Sequence, residues 1–240
     1  INSLDPNKFW QQNYSFKEKR ELHNFLWLSS IDRKDNASTL RKIIYLWNLN
    51  NLKYQSLIWE TSVISKRIMS WILNSDIILK NSNFEFRKDF IESIIIQTNH
   101  LRKNFKYEID HQKKIEVITA LVLSGLVFKE YQENYEFSLI ELEKLINTFF
   151  DDGGFPLSRS PHDLLYFAKY FLLIKEVIKD AQKYVPDFLD NVLEKNLECL
   201  KQITTPKNTL PLFNGSIEDD LTNFYDYISH FKIKIKKPKT

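Results

Sequence analysis

Residues 151–167 read DDGGFPLSRSPHDLLYF and carry side chains that can bind an anion and move a proton. Arg159 can hold a carboxylate or a sulfate through two parallel hydrogen bonds. His162 and Tyr166 are four residues apart, so a helix would place both on one face. An imidazole and a phenol can each act as a general acid or base. The segment therefore suits chemistry on an acidic substrate.

Two adjacent glycines precede this arginine, in a chain that has only four glycines. Gly153 and Gly154 can adopt a positive φ and allow a ligand to approach the backbone closely. Ser160 and Pro161 predict the start of a helix, whose free N–H groups attract anions. The glycines and the helix start therefore add to the predicted binding site for an acidic group.

The same segment also has a purely structural interpretation. The glycines would then form a turn between two helices, with Tyr166 in the core. Arg159 would pair with Asp151 or Asp152 rather than with a ligand. The sequence admits both interpretations.

A second group of candidates lies near the end of a helix predicted over residues 85–105. Asn99, His100 and Arg102 offer an amide, an imidazole and a guanidinium for an acidic sugar. The alternative is structural, because basic side chains also stabilise the C-terminus of a helix.

Arg67 and Trp71 form a third candidate pair, again four residues apart. The ring could face a sugar while the guanidinium faces its acid group, or the arginine could simply stack on a tryptophan at the core edge. His23 precedes Trp27 by about one helical turn and is predicted as a hydrogen-bonded histidine in the core or at its boundary. Cys199 is predicted as a small core residue.

Composition limits the function classes. The chain has 240 residues, of which 43% are hydrophobic and 14% aromatic, so a large core is expected. The net charge of +3 is too balanced to indicate a nucleic-acid partner. One cysteine cannot form an internal disulfide, and no metal, nucleotide or hydrolase motif is found, so neither a metal nor another cofactor is predicted.

Membrane insertion is not expected, since no apolar run reaches the roughly 18 residues that a spanning helix needs. No signal peptide is visible, and the sequence begins with Ile1 rather than Met. The bacterial periplasm and the cytoplasm both remain open as compartments.

Helical periodicity runs through most of the chain and predicts helices joined by short loops. Such stacked antiparallel hairpins can close into a bundle, a solenoid or an α/α toroid. Ser138 and Glu141 are expected to form a capping box. The predicted helices cover residues 16–31, 36–50, 61–75, 85–105, 111–131, 138–150, 160–184 and 186–204.

The end of the chain differs from the rest. A loop rich in turn residues covers 204–220, and apolar and basic residues then alternate over 230–238, which predicts a strand. The sequence therefore predicts a helical domain over 1–220 and a linker with the first strand of another domain over 221–240. A basic tail without structure is the alternative.

Five stretches in a fixed order carry a family resemblance: ELHNFLWLSSI, SVISKRIMSWILNSDIIL, KKIEVITALVLSGLVF, DDGGFPLSRSP and LPLFNGS. Together they span about residues 10 to 216, and the chain resembles the N-terminal helical domain of the heparinase II/III-like family, in its alphaproteobacterial branch. The resemblance implies an all-α fold, an incomplete α/α toroid of antiparallel helical hairpins. It also implies a β-sandwich domain following in cis.

The resemblance further implies a polysaccharide lyase, or a relative of one, that acts on acidic, uronic-acid-containing glycans by β-elimination. Lyases of the superfamily use Asn, His and Tyr side chains, which makes Asn99, His100, His162 and Tyr166 the catalytic candidates. The family loop usually has a histidine after its two glycines, and this chain has Phe155 there. The predicted substrate-binding residues are Arg159, Gly153, Gly154, Arg67, Trp71 and Arg102.

Two other functions stay open. The chain could be a helical glycan-binding or protein-interaction module without catalysis, or an α-solenoid scaffold with protein partners. The lyase hypothesis requires Arg159, His162 or Tyr166 to face the same groove as Asn99 or His100.

Overall fold

The computed structural model describes residues 9–10, 13–31, 37–217 and 219–230. Within these residues the chain is helical, with isolated β-bridges in place of strands, so the predicted all-α class is confirmed. Short 3₁₀ segments occupy Leu26–Ser30, Phe105–Tyr107 and Lys129–Tyr131. The α-helices are α1 (Phe16–His23), α2 (Ala37–Asn51), α3 (Thr61–Leu73), α4 (Ser75–Ile78), α5 (Phe84–Asn104), α6 (His111–Val127), α7 (Gln132–Phe149), α8 (Pro161–Asp180), α9 (Asp187–Ile203) and α10 (Thr222–His230).

The contacts divide the chain into two compact units. The first comprises Ile1–Ile109 and Glu116–Ser138, and the second comprises Asp110–Ile115 and Leu139–Thr240. One division precedes α6, and the other two fall within α6 and α7. The strand predicted over 230–238 lies, apart from its first residue, outside the described residues.

Capping side chains set several helix starts. Ser15 and Glu18 form a capping box at α1, and the Asn83 side chain accepts the Phe86 N–H at α5. At α8 the Ser160 side chain accepts the Asp163 N–H, and Pro161 occupies the first turn. The predicted start of α8 is confirmed.

Helix α7 begins at Gln132, so the capping box predicted at residue 138 is wrong. Ser138 is buried within the helix, and its hydroxyl donates to the Asn134 carbonyl at 2.6 Å. This bond to the preceding turn occupies the hydroxyl that a cap would use. Nearby, a Cβ on Gly125 would lie 2.4 Å from the Tyr135 backbone nitrogen, so this glycine lets α6 and α7 approach closely.

The helix predicted over 16–31 is interrupted. Helix α1 ends with Asn24 as its C-cap, and Phe25 adopts a φ of 59°. The Asn24 side chain accepts the Leu26 N–H at 2.8 Å, which fixes the turn into the 3₁₀ segment. The turn drives the Phe25 ring into the core, where none of it is exposed.

The core of the first unit is aromatic. Phe25, Trp47, Trp71 and Phe90 are at most 2% exposed, with neighbouring ring centroids 5.2–6.1 Å apart. Most residues of α3 are buried in this core.

The core of the second unit forms where α8 packs on α9. Phe150, Phe167 and Phe171 contact one another from α8 and from the residue that follows α7. Within the described ranges, no helix combines the length and hydropathy needed to cross a membrane.

Candidate functional site

The loop between α7 and α8 folds back on itself. Phe150 and Pro156 form an antiparallel bridge, and the Gly154 N–H donates to the Asp151 carbonyl at 2.9 Å. The Asp151 carboxylate accepts the Phe155 N–H at 2.9 Å and the Arg159 Nη1 at 2.5 Å. The loop is therefore organised around one carboxylate.

Helix α9 holds this loop through three side chains. Lys195 Nζ donates to the Asp152 carbonyl at 2.7 Å, and Asn196 Nδ2 donates to the Gly154 carbonyl at 2.5 Å. The half-buried Cys199 places its Sγ 3.3 Å from the Gly153 carbonyl oxygen. Cys199 therefore contacts the loop, instead of filling the core as predicted.

The two glycines have different environments. Gly154 is buried, has a φ of 83°, and leaves room for Lys195, whose Cβ would be 2.4 Å from an added Cβ. This face of Gly154 packs on α9, and the predicted ligand contact at Gly154 stays a prediction. Gly153 is exposed and has no positive φ.

Arg159 follows the loop with a φ of 56°, a conformation that non-glycine residues seldom adopt. Its side chain is 54% exposed, and its carbonyl accepts the Asn214 Nδ2 at 2.9 Å. Partial burial raises the pKa of Asp151, but hydrogen bonds from Phe155 and Arg159 outweigh this and hold that pKa below its usual value. Arg159 is therefore accessible and at the same time paired with Asp151.

Three rings line one face of α8. The His162 and Tyr166 centroids are 6.2 Å apart, and those of Tyr166 and Tyr170 are 5.0 Å apart. His162 Nδ1 is buried without a hydrogen-bond partner in the described structure. Tyr170 is not among the residues predicted from the sequence, although it follows Tyr166 by the same spacing of four residues.

Asp163 fixes the first turn of this helix. Its carboxylate accepts the Gln112 Nε2 at 2.7 Å and the Ser158 hydroxyl at 2.6 Å. Nothing in the sequence pattern pairs Gln112 with Asp163, which lies 51 residues further along the chain.

The second group of predicted residues lies at the end of α5, in the first unit. Asn99 is exposed, and the half-buried His100 contacts Trp59 edge-on, with centroids 5.1 Å apart. Burial, and then the charge of Lys103, lower the pKa of His100. The Arg102 guanidinium lies 3.4 Å from the Phe137 ring centroid, an arrangement that stabilises the helix end.

Arg67 and Trp71 do not line a cleft, and the predicted substrate contact of this pair is wrong. Both side chains are fully buried. Arg67 donates to the Gln97 Oε1 at 2.6 Å and the His23 carbonyl at 2.8 Å, and it stacks over Trp47 at 4.2 Å rather than over Trp71. The spacing of four residues placed the arginine on the correct face but could not show that α2 and α5 cover it.

His23 is the hydrogen-bonded core histidine that the sequence predicts. It is 8% exposed, and its Nδ1 accepts the Trp47 Nε1–H at 2.9 Å. Burial, followed by the charges of Arg67 and Lys19, lowers the pKa of His23 to about 4.

The candidates thus form two groups in different units. Arg159, His162 and Tyr166 lie together in the second unit, whereas Asn99 and His100 lie in the first. That the two groups share one groove stays a prediction. Among the residues that the structure describes, no cluster of side chains suits a metal ion.

Cavities elsewhere in the first unit contain none of the predicted site residues. One of about 440 Å³ is walled by Phe9, Trp27 and Ile43. Two others, of about 450 and 280 Å³, lie along α2 and α5.

The chain matches the family described as Heparinase II/III N-terminus over residues 34–234 and belongs to it. The fold also matches a heparinase III solved with methylated lysines, with a TM-score of 0.70 at 14% identity over 96% of this chain and 41% of that one. A mutant of the heparan sulfate lyase HepC from Pedobacter heparinus gives a TM-score of 0.71 at 16% identity, over 92% of this chain and 38% of that one. The unmutated HepC gives 0.69 at 17% identity with the same coverage.

The predicted family and its α/α-toroid fold class are confirmed by these matches. The chain spans about two fifths of the length of these solved lyases. No curated protein matches it significantly. The alphaproteobacterial branch stays a prediction.

Proposed function

We propose that the chain is the helical domain of a polysaccharide lyase that cleaves uronic-acid-containing glycans by β-elimination. The family match supports this, as do the activities named for the solved neighbours, a heparinase III and a heparan sulfate lyase. The proposed partners are an acidic polysaccharide and a β-sandwich domain in cis.

Elimination at a uronate makes three demands on a protein. A cationic or hydrogen-bonding group must neutralise the C5 carboxylate so that the adjacent proton becomes acidic. A base must then remove that proton, and an acid must protonate the leaving oxygen of the glycosidic bond.

Arg159 is proposed to bind the substrate's carboxylate or sulfate. Its guanidinium is half exposed and can form two hydrogen bonds with a planar acid group. Asp151 holds it in place in the absence of substrate, and the incoming anion would take over part of that pairing.

His162 and Tyr166 are proposed as the proton-transfer groups. They lie one turn apart on α8, and the unpartnered His162 Nδ1 has no competing protein hydrogen bond among the described residues. Asn99 and His100 are proposed to contribute from α5. The observation that carries the proposal is the exposed Arg159 placed immediately before the His162–Tyr166 face, in a chain of this family.

The test is the ultraviolet absorbance of unsaturated uronate, followed with heparan sulfate, chondroitin sulfate, hyaluronan and alginate as substrates. The protein assayed is the chain together with the proposed β-sandwich domain, because the helical domain alone is expected to be inactive. We expect product from at least one glycan, and a loss of at least about 100-fold in Tyr166→Phe and His162→Ala. Tyr107→Phe, at an exposed tyrosine of the first unit, is the matched control and should keep full activity. Absence of product from all four glycans with the protein that contains both domains would refute the lyase assignment.

A non-catalytic glycan-binding or interaction module is the second candidate. Phe155 favours it, because this residue stands where the family loop usually has histidine, and it contributes a backbone N–H to Asp151. That function predicts binding of an acidic glycan that depends on Arg159 but yields no unsaturated product.

A further inference from the structure

A groove follows α2 and α5 on the first unit, away from the residues proposed for the lyase site. Its two parts share Tyr45 and Asp89, so they are continuous. The first part is lined by Lys42 and Glu85, from early turns of the two helices, and the second by Asn48 and Ser93, from later turns, so the groove follows α2 and α5 along their length.

A buried polar chain ends at the floor of this groove. Gln97 accepts a hydrogen bond from Arg67 at 2.6 Å and donates to the Ser93 hydroxyl at 3.1 Å. Ser93 donates in turn to the Asn48 Oδ1 at 2.9 Å. Each bond points in the same direction, from α3 through α5 to α2.

Asn48 is the last group of this chain. It is 8% exposed and lines the groove, and its Nδ2 has no hydrogen-bond partner among the described residues. Arg67 is fully buried and paired with no described carboxylate, so its charge polarises the bonds that lead away from it. The Asn48 N–H₂ group is therefore a strengthened hydrogen-bond donor, from which an oxygen atom of a ligand can accept.

The walls indicate what kind of acceptor fits. Tyr45 is 47% exposed and offers an aromatic face, while Asp89 and Glu92 can accept hydroxyl protons. A flat aromatic ring beside hydrogen-bonding groups of both kinds matches a sugar, which has apolar ring faces and many hydroxyls.

The charges of this groove favour an uncharged ligand over a polyanion. Three carboxylates line it, from Glu85, Asp89 and Glu92, against the two cations Arg41 and Lys42. Arg41 stays cationic and donates its Nη1 to the Lys80 carbonyl at 2.5 Å. With three carboxylates against two cations, a sulfated or uronate chain meets a small net repulsion that an uncharged chain does not.

We propose that the groove between α2 and α5 binds an uncharged saccharide, with the Asn48 amide donating to one of its oxygens and Tyr45 packing on a sugar ring. This site is separate from the lyase site and does not depend on lyase activity.

The test uses the 240-residue chain labelled with ¹⁵N and follows its backbone and side-chain amide signals by NMR. Cellotetraose and tetraacetylchitotetraose are titrated separately, and a heparan sulfate tetrasaccharide is the charged probe. At least one neutral probe should shift the Asn48 side-chain amide and the backbone amides around Tyr45, and the charged probe should leave these signals unchanged. The Asn48 signal is identified by its absence in Asn48→Leu.

Two variants separate binding from folding. Asn48→Leu should lower the affinity for the neutral probe about tenfold, which is the loss expected for one hydrogen bond from a polarised donor. Tyr45→Ala alters an exposed side chain and should weaken binding without unfolding the chain. Asn50→Leu makes the same replacement as the first variant on the solvent face of α2 and should bind like the wild type.

Three results would overturn the proposal. The first is that neither neutral probe shifts these signals. The second is wild-type affinity in both Asn48→Leu and Tyr45→Ala. The third is that the heparan sulfate tetrasaccharide shifts the same groove signals, which would make this a second polyanion site.

Discussion

At the scale of single residues, the neighbouring glycines Gly153 and Gly154 differ in backbone conformation and in packing. Only Gly154 combines a φ of 83° with a hypothetical Cβ that would lie 2.4 Å from Lys195 Cβ. Gly154→Ala should therefore lower the free energy of unfolding by about 2–4 kcal/mol, from backbone strain and overpacking. Urea unfolding followed by circular dichroism measures this.

Gly153→Ala is the matched control for this prediction. Its Cβ would lie 3.3 Å from an Asp151 carboxylate oxygen, at a φ that alanine tolerates, so its cost should stay below about 1 kcal/mol. Equal losses in the two variants would contradict the close packing of the loop on α9.

Asp151 restrains the arginine proposed to bind substrate. Asp151→Asn keeps an oxygen for the Phe155 N–H but removes the charge that pairs with Arg159. Since an exposed ion pair is worth up to about 1 kcal/mol, freeing Arg159 should strengthen heparan sulfate binding by up to about fivefold. Calorimetric titration measures the change, and Arg159→Ala should abolish the gain. Unchanged affinity in Asp151→Asn would argue against Arg159 as the anion-binding group.

At the scale of elements, the packing of α3 depends on the buried hydrogen bonds of Arg67. The side chain supplies hydrogen bonds to Gln97, the His23 carbonyl and the Ile58 carbonyl, all in buried surroundings. Arg67→Met leaves these acceptors without donors and should cost about 3 kcal/mol of stability. The midpoint of urea unfolding reports this loss.

Arg87→Met is the control for Arg67, since Arg87 is exposed on α5 and should change stability by less than about 0.5 kcal/mol. The remaining folded Arg67→Met protein should bind heparan sulfate with unchanged affinity. Wild-type stability together with lost glycan binding would instead support the substrate-contact role that the sequence indicates.

Helix existence could be predicted from the sequence far better than helix ends. The start of α8 was predictable because Ser160 and Pro161 are a local capping signal. The start of α7 was not, because Ser138 has the residue type of a cap but bonds to the preceding turn. The interruption at Phe25 likewise depends on tertiary packing of its ring, which no local pattern records.

The candidate site was likewise only partly predictable from the sequence. Arg159, His162 and Tyr166 could be grouped from the sequence because they lie within one loop and two helical turns. The contacts of α9 with the loop join residues more than 40 positions apart, and no local sequence pattern indicates them. The burial of Arg67 was equally hidden, since spacing within one helix does not reveal what packs over it.

At the scale of the whole molecule, acid should weaken the fold through His23. Its pKa is lowered from 6.5 to about 4 in the folded chain, so the unfolded chain binds a proton more readily. The stabilisation is complete above pH 6.5 and is lost as the pH falls towards 4, by about 2–3 kcal/mol. Urea unfolding at pH 7 and at pH 4.5 measures the loss.

His23→Gln isolates this contribution. The glutamine carbonyl can accept the Trp47 Nε1–H but does not titrate, so the variant should lose markedly less stability than the wild type over the same pH range. Parallel losses in both proteins would assign the acid sensitivity to other groups.

The family, by contrast, is a property of the whole chain. Each of the five stretches is short, and their order over most of the length carried the assignment that the match over residues 34–234 confirms. Family membership does not assign the catalytic residues in the same way, because Phe155 stands where the family loop usually has histidine and the proposed groups come from two units.

The single cysteine of the chain supplies a natural reporter. A fluorophore or nitroxide attached to Cys199 would sit beside Gly153 with no engineered mutation elsewhere. Burial, with Asp151 and Glu198, raises the pKa of the thiol and slows its alkylation while the neighbouring segment rests on α9. The labelling rate therefore reports how often residues 151–159 move away from α9, and a glycan that binds these residues should lower that rate.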